Sequence, residues 1–302
     1  MSVKVPGIQK KHVPLYLMIL PALILLIIFR YGPITGLILA FKKIIPGKGI
    51  FGGDWVGLAN FRYVFSLPTI WEVIRNTFII AFLKIFVGRV MAISLALLLN
   101  EVKQRVIKRT VQSIVYLPHF ISWVILSGIL LDILSPGEGV VNRLIKAAGV
   151  DPIYFLGDNQ WFRFSMVSTE IWKNMGWSTI IYLAAITSIK PELYESAITD
   201  GANRWRQTWH ITLPGMMPVI VLTVVLSLGS LLDGGFDQIV NLYNATVYST
   251  GDIIDTLVYR VGLVQANYSL GAAIGLLRSF VSLVFISGSY YLAYKYADYR
   301  IF

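Results

Sequence analysis

Six apolar stretches dominate this chain: Leu15–Phe41, Val73–Leu99, Val111–Leu134, Phe164–Ile189, Pro214–Leu232 and Tyr268–Tyr294. A helix needs about 20 mainly apolar residues to cross a bilayer core. In hydrocarbon every backbone polar group must be paired internally, so stretches this long are expected to be helices. Charged residues make up 14% of the 302 residues, against about 25% in an average soluble domain. The fold class expected is therefore an all-α membrane protein with six transmembrane helices.

The first stretch is too long for the apolar core of a signal peptide, and no Ala-x-Ala site closes it, so it reads as a retained helix. Pro21 and Pro33 lie within it, which neighbouring helices can accommodate. The second stretch carries Arg75, Lys84 and Arg89. Ionisable groups at membrane depth normally face a bundle interior or water, so this helix is expected inside the assembly. The interval 42–71 is Gly-rich, and its Trp55 and Phe61 suit an interfacial belt. Val140–Ala148, in the interval after the third stretch, reads as a short amphipathic helix. Ser227, Gly229, Ser230, Gly271, Ala272, Ala273 and Gly275 are small enough to let helices approach closely.

Six spans put both termini on one side. Short loops rich in Lys and Arg stay in the cytoplasm. Lys4, Lys10, Lys11, Lys103, Arg105, Lys108, Arg109, Lys190, Arg204, Arg206, Lys295 and Arg300 fall on one side. They outnumber Lys42, Lys43, Lys48, Arg62, Arg143, Lys146 and Arg260 on the other. Both termini, and the interval 190–213, are thus expected in the cytoplasm. This pattern also accounts for the net charge of +10. No basic stripe is interleaved with aromatics, which argues against nucleic acid as a partner.

No catalytic constellation is visible. Gly47-Lys48 is followed by Gly49, so there is no phosphate-binding loop. His12, His119 and His210 are scattered, which leaves no zinc pattern. The absence of Cys removes disulfides and thiolate sites. No cofactor or metal is expected. If ATP drives this chain, another subunit binds it.

Two polar features remain. Pro191 can open a helix after the fourth span, with Glu192 and Glu195 favoured near its positive end. Gly201 can close it, and a second helix can run through Trp205, Trp209 and Ile211 to Leu213. Pattern alone permits a plain solvated helix–turn–helix here. The other feature is Glu170, Lys173 and Asn174, at helical spacing inside the fourth span beside Trp172 and Trp177. Such groups need water, a partner or a substrate. Trp177 and Tyr182 could stack on sugar rings. The alternative is an ordinary Glu170–Lys173 ion pair between subunits, with aromatic packing.

Glu195-Ser196-Ala197-Ile198-Thr199-Asp200-Gly201-Ala202, then Ile211-Thr212-Leu213-Pro214 and Pro218, resembles the cytoplasmic coupling loop of ABC-importer permease subunits. In that family a short helix of the loop docks into a groove on the ATPase. The resemblance gives Glu195, Ser196, Ala197, Asp200, Gly201, Ala202, Leu213 and Pro214 an ATPase-coupling role. Ser196 departs from the usual Ala and Trp209 from the common Phe. Arg30-Tyr31-Gly32-Pro33, Trp55-Val56-Gly57-Leu58, Tyr116-Leu117-Pro118-His119 and Asp255-Thr256-Leu257 extend the likeness to carbohydrate permeases. They are similar to type I importers of complex oligosaccharides in Gram-positive bacteria (alginate, aldouronate, rhamnogalacturonan).

That resemblance implies a bacterial cell-membrane protein with a permease core over 72–294, preceded by 1–71 and followed by a tail, 295–302. It implies a heterodimer with a second permease, two ATP-binding subunits and an extracellular solute-binding protein that delivers an oligosaccharide. It places substrate contacts near Glu170, Lys173, Asn174, Trp177 and Tyr182, and near Ser230, Asp233 and Gly234. A secondary transporter or channel working without ATP is the alternative. It leaves the Glu195 interval unexplained.

Overall fold

The structure, a computed structural model, describes residues 13–44, 49, 52–229 and 232–297. Ser230, Lys4, Lys10, Lys11, Lys48 and Arg300 lie outside the described residues. Helix α1 spans Val13–Leu26 and continues through a π turn (Ile27–Tyr31) into a 3-10 segment, Gly32–Phe41. Pro33 opens that last segment, where it breaks the α pattern. Lys42–Lys43 (β1) and Asp54–Trp55 (β2) form a minimal antiparallel ribbon, with α2 over Ala59–Ser66 beyond it. Trp55 stacks on Phe41, with ring centroids 5.6 Å apart. Phe61 does not sit in an exposed belt: it is buried with Ala40 and Val64.

Two long helices form the spine: α3 (Ile70–Glu101) and α7 (Asn159–Thr187). They run parallel. Arg163 of α7 donates to Asn76 Oδ1 of α3 at 2.7 Å, and further along Thr179 Oγ1 donates to the Ala92 carbonyl at 3.2 Å. Ala92 and Ala96, one turn apart and fully buried, give the close approach that drives helix association in lipid. With Tyr182, Ala185, Ile186 and Met216 they make the core at the Glu101 end. Two further clusters fill the opposite end around Val73 and Ile80.

The third apolar stretch is not one rod. Helix α4 covers Arg105–Tyr116 and α5 covers Trp123–Ile133, and the two segments bend by 105° at a short break. Pro118 lies in the 3-10 turn at the break and removes one donor. Gly176 of α7 lets α4 pack tightly: a Cβ there would meet the Val115 carbonyl oxygen at 2.3 Å.

The amphipathic helix expected at Val140–Ala148 is α6, Val140–Ala147. After α7 come α8 (Pro191–Thr199), α9 (Arg204–Gln207) and α10 (Leu213–Gly229). The interval 233–267, whose Asp233, Asp237, Asp252 and Asp255 make it read as a polar loop, is largely helical. It holds α11 (Phe236–Leu242), α12 (Tyr248–Gly251) and α13 (Ile254–Val258) before α14 (Tyr268–Ala297). Gly262 and Gly271 meet where α14 begins, and a Cβ on Gly271 would lie 2.7 Å from Gly262 Cα.

Among the described residues, four segments are long and apolar enough to cross a membrane, and a fifth if the bent pair counts as one. Helix α7 is long enough, at 29 residues, but it is too polar to qualify.

Candidate functional site

The first candidate is the connection between α7 and α10. Pro191 starts α8 at a position where a missing N–H costs nothing. The helix ends in a Schellman motif: Ala202 N donates to the Ala197 carbonyl at 2.8 Å and Gly201 N to that of Ile198 at 3.0 Å. Gly201 carries φ +74° for this turn. Asn203 Oδ1 then caps α9 by accepting from Arg206 N at 2.9 Å. Gln207 Nε2 reaches back to the Ala202 carbonyl at 2.8 Å. Tyr194 Oη and Thr212 Oγ1 lie 3.0 Å apart and tie α8 to the base of α10. Arg204 pairs with Glu101 at the end of α3, 3.1 Å away. Two short helices are thereby held at a fixed angle on the end of the bundle.

What this unit presents is unusual. Leu193, Ile198, Trp205 and Trp209 are all exposed, as are Glu195, Ser196, Asp200, Gly201 and Pro214. Ala197, Ala202 and Leu213 are half-buried. Large apolar side chains on a rigid polar connector, rimmed by charge, are the composition of a protein-binding surface.

The second candidate is a cavity of about 200 Å³ between α3, α7 and the end of α10. Lys84, Arg89, Glu170, Asn174, Ser178 and Asp233 line it. Lys84 Nζ donates to the Gly234 carbonyl (2.9 Å) and Gln238 Oε1 (2.5 Å). Gly235 is favoured there by its φ of +84°, which L side chains rarely adopt, and a Cβ would lie 2.5 Å from Lys84 Nζ. Glu170 Oε1 accepts from Asn174 Nδ2 at 2.6 Å, and Asn174 Oδ1 meets His119 Nδ1 at 2.8 Å. At one edge Asp233 faces Arg278 of α14 at 3.8 Å, and Arg278 also holds Asp255 at 3.1 Å.

Among the residues expected near a substrate, Glu170, Asn174 and Asp233 come together in this cavity. Gly234 contributes its carbonyl to Lys84. Lys173, Trp177 and Tyr182 stand elsewhere. Lys173 is buried and forms no ion pair with Glu170. Its Nζ donates to the carbonyls of Pro118, His119 and Ile121 at 3.1, 2.8 and 2.5 Å, closing the break between α4 and α5. Trp177 stacks flat on His119, with centroids 4.8 Å apart. Tyr182 is fully buried and meets Thr223 Oγ1 at 2.8 Å. Ser230 lies outside the described residues.

The cavity also takes in groups the α7 pattern does not reveal. Lys84 and Arg89 were visible as charges in an apolar helix, and they do face the bundle interior. Their meeting with Glu170 depends on the parallel pairing of α3 and α7, which no local pattern encodes. Ser178 carries no signal in the sequence, and Ser227 reads there only as a small residue at a helix contact.

A bundle of membrane-crossing helices with a charged internal cavity and a rigid, apolar-tipped connector defines a membrane transport subunit. The comparisons specify which. Residues 84–293 match the model of the family described as "Binding-protein-dependent transport system inner membrane component", and the chain belongs to that family. It is 42% identical over 295 residues (98% of this chain, 91% of the relative) to the polygalacturonan/rhamnogalacturonan transport system permease protein YteP of Bacillus subtilis (strain 168). It also matches a chain of a bacterial ABC transporter involved in the import of the acidic polysaccharide alginate, with TM-score 0.88 and 41% identity, covering 95% of this chain and 97% of that one. A second structure of an alginate ABC transporter, in complex with an alginate pentasaccharide-bound periplasmic protein, matches with TM-score 0.86 at 41% identity over 95% and 96% of the chains. The protein is thus a multi-pass membrane permease of an ABC importer, a transport subunit and not an enzyme.

Proposed function

We propose that this chain forms half of the translocation path for an oligosaccharide, in the cytoplasmic membrane of a bacterium. A second permease supplies the other half, two ATP-binding subunits drive the cycle, and an extracellular solute-binding protein delivers the cargo. The permease core is 72–294, with six spans and both termini in the cytoplasm, α7 being the span too polar to stand against lipid. The α8–α9 connection is the cytoplasmic coupling element. Glu195, Ser196, Ala197, Asp200, Gly201, Ala202, Leu213 and Pro214 shape or present it, and Leu193, Ile198 and Trp205 offer the apolar anchors. Closure of the ATPases pushes on this unit, and the push is passed to α7 and α10 at its two ends. The cavity at Glu170, Asn174 and Asp233 is where sugar passes. By linkage, the loaded binding protein must alter ATPase closure to the same extent.

The observation that carries this reading is the exposed apolar tip on a hydrogen-bonded lever. A channel or secondary transporter has no use for such a surface. The test is uptake in proteoliposomes holding the whole transporter. Glu195→Ala and Gly201→Asp should abolish uptake while the second permease still co-purifies. Normal uptake by both variants would refute the docking role.

A further inference from the structure

Four cations crowd into the seven residues 103–109, where α3 gives way to α4: Lys103, Arg105, Lys108 and Arg109. None of them pairs with a carboxylate among the described residues. The nearest acid in sequence, Glu101, is taken by Arg204 at 3.1 Å. Even with the connection 190–213 counted in, residues 101–116 and 190–213 hold seven Lys and Arg against four carboxylates. A cytoplasmic placement requires only that cations lie on that side, not that they share the start of one helix. The crowding is costly as it stands. Arg105 and Arg109 are like charges one turn apart, and they lie at the end of α4 where the helix dipole disfavours a cation.

The rest of α4 says what relieves this. Val111, Gln112, Val115 and Tyr116 are half-buried, and Val115 packs on Gly176 of α7. Val106, Ile107 and Ile114 are exposed. Ile107 and Ile114, seven residues apart, share one face and are about 10 Å apart along the axis. An exposed apolar strip headed by a basic cluster is the makeup of a helix at a membrane surface, with cations among headgroups and apolar side chains among acyl chains. We propose that Lys103, Arg105, Lys108 and Arg109 hold the headgroup of an anionic phospholipid of the inner leaflet, whose chains lie along Ile107 and Ile114. This rests on the cytoplasmic placement of that end in the reading above. The lipid sits beside the coupling element, since Glu101, which Arg204 holds, is two residues from Lys103.

The chain has no cysteine, so Ile114→Cys carries a bimane label alone once the other subunits are freed of Cys. The whole transporter is placed in mixed vesicles of phosphatidylglycerol and phosphatidylcholine. One lipid or the other has brominated chains, and quenching of the label is titrated against its mole fraction. Half-quenching by phosphatidylglycerol should come at a mole fraction at least about fivefold lower than by phosphatidylcholine, the effect of one cation at an anionic surface. Arg105→Gln with Arg109→Gln should bring the two titrations together. Arg109→Gln alone should narrow the gap, which keeps the test decisive if the double variant does not fold. A label at Leu283→Cys, exposed on α14, should show no preference. Equal quenching by both lipids at Ile114, quenching by neither, or the same preference at Leu283 overturns the proposal. So does a preference that survives the Gln variants, or one that appears only when the ATP-binding subunits are stripped away, which assigns the cations to those subunits. ATP-driven uptake by the same vesicles is read separately, and its failure sinks the transport reading instead.

Discussion

Tyr194 Oη lies 3.0 Å from Thr212 Oγ1, which joins the middle of α8 to the foot of α10. That bond braces the connection together with the turn at Gly201 and the Gln207–Ala202 contact. Tyr194→Phe keeps the ring and removes the hydroxyl, at about 1 kcal/mol. The transporter should assemble normally but import less sugar per ATP hydrolysed. An unchanged ratio of uptake to hydrolysis would show that the bond does not carry force.

Lys173 separates structural charge from substrate contact. Its ammonium satisfies three carbonyls where α4 gives way to α5. Lys173→Met takes this donor from the half-buried His119 and Ile121 carbonyls, while that of Pro118 keeps the Ile121 N–H, and the loss costs about 3 kcal/mol. Expression and thermal stability in detergent should fall, and the substrate preference of whatever protein survives should match wild type. A stable variant with altered preference would put Lys173 in the path instead.

This residue also shows what could be read from the linear chain. Period and apolarity mark α3, α7, α10 and α14 nearly to their ends, because those helices are stabilised locally. Gly201 announces its turn, since only a residue at ease with positive φ fits there. The Glu170, Lys173 and Asn174 cluster announces a need for polar partners. Which partner each finds is settled by tertiary neighbours: Lys173 turns to the broken backbone near Pro118, and Glu170 to the cavity. Pro118 marks an interior break in 111–134, as Gly128 also does on pattern alone, but the 105° angle is not legible, because the residues are mainly apolar on both sides of it. The helices within 233–267 were hidden by polarity, since their buried residues, such as Gln238, Asp252 and Thr256, are polar.

Asp255 sits in the connection between α10 and α14, outside the spanning segments. Burial pushes its carboxyl up to about 6, opposed by the nearby Arg278 guanidinium, with Asp233 adding a smaller push upward. Its Oδ2 is buried with no hydrogen-bond partner. The folded-state value is above the unfolded one near 3.8, so the folded state holds the proton more tightly. This group's contribution is therefore full at low pH and is lost as pH rises through about 6. The unfolding midpoint of wild type, measured relative to Asp255→Asn, should rise as pH falls from about 7 to about 5. A difference that stays flat, or shrinks on acidification, would contradict this assignment.

If the α8–α9 unit meets an ATPase on the cytoplasmic face, a thiol on α8 is reachable from that side alone and is covered when the ATPase binds. Ser196→Cys gives the only thiol in this chain, on the exposed side of α8. Its labelling by a membrane-impermeant maleimide is measured in right-side-out and inverted vesicles, with and without the ATP-binding subunits. Labelling is expected in inverted vesicles alone, and it should be blocked when those subunits are bound. Labelling from the outer face, or equal labelling with and without them, would contradict it.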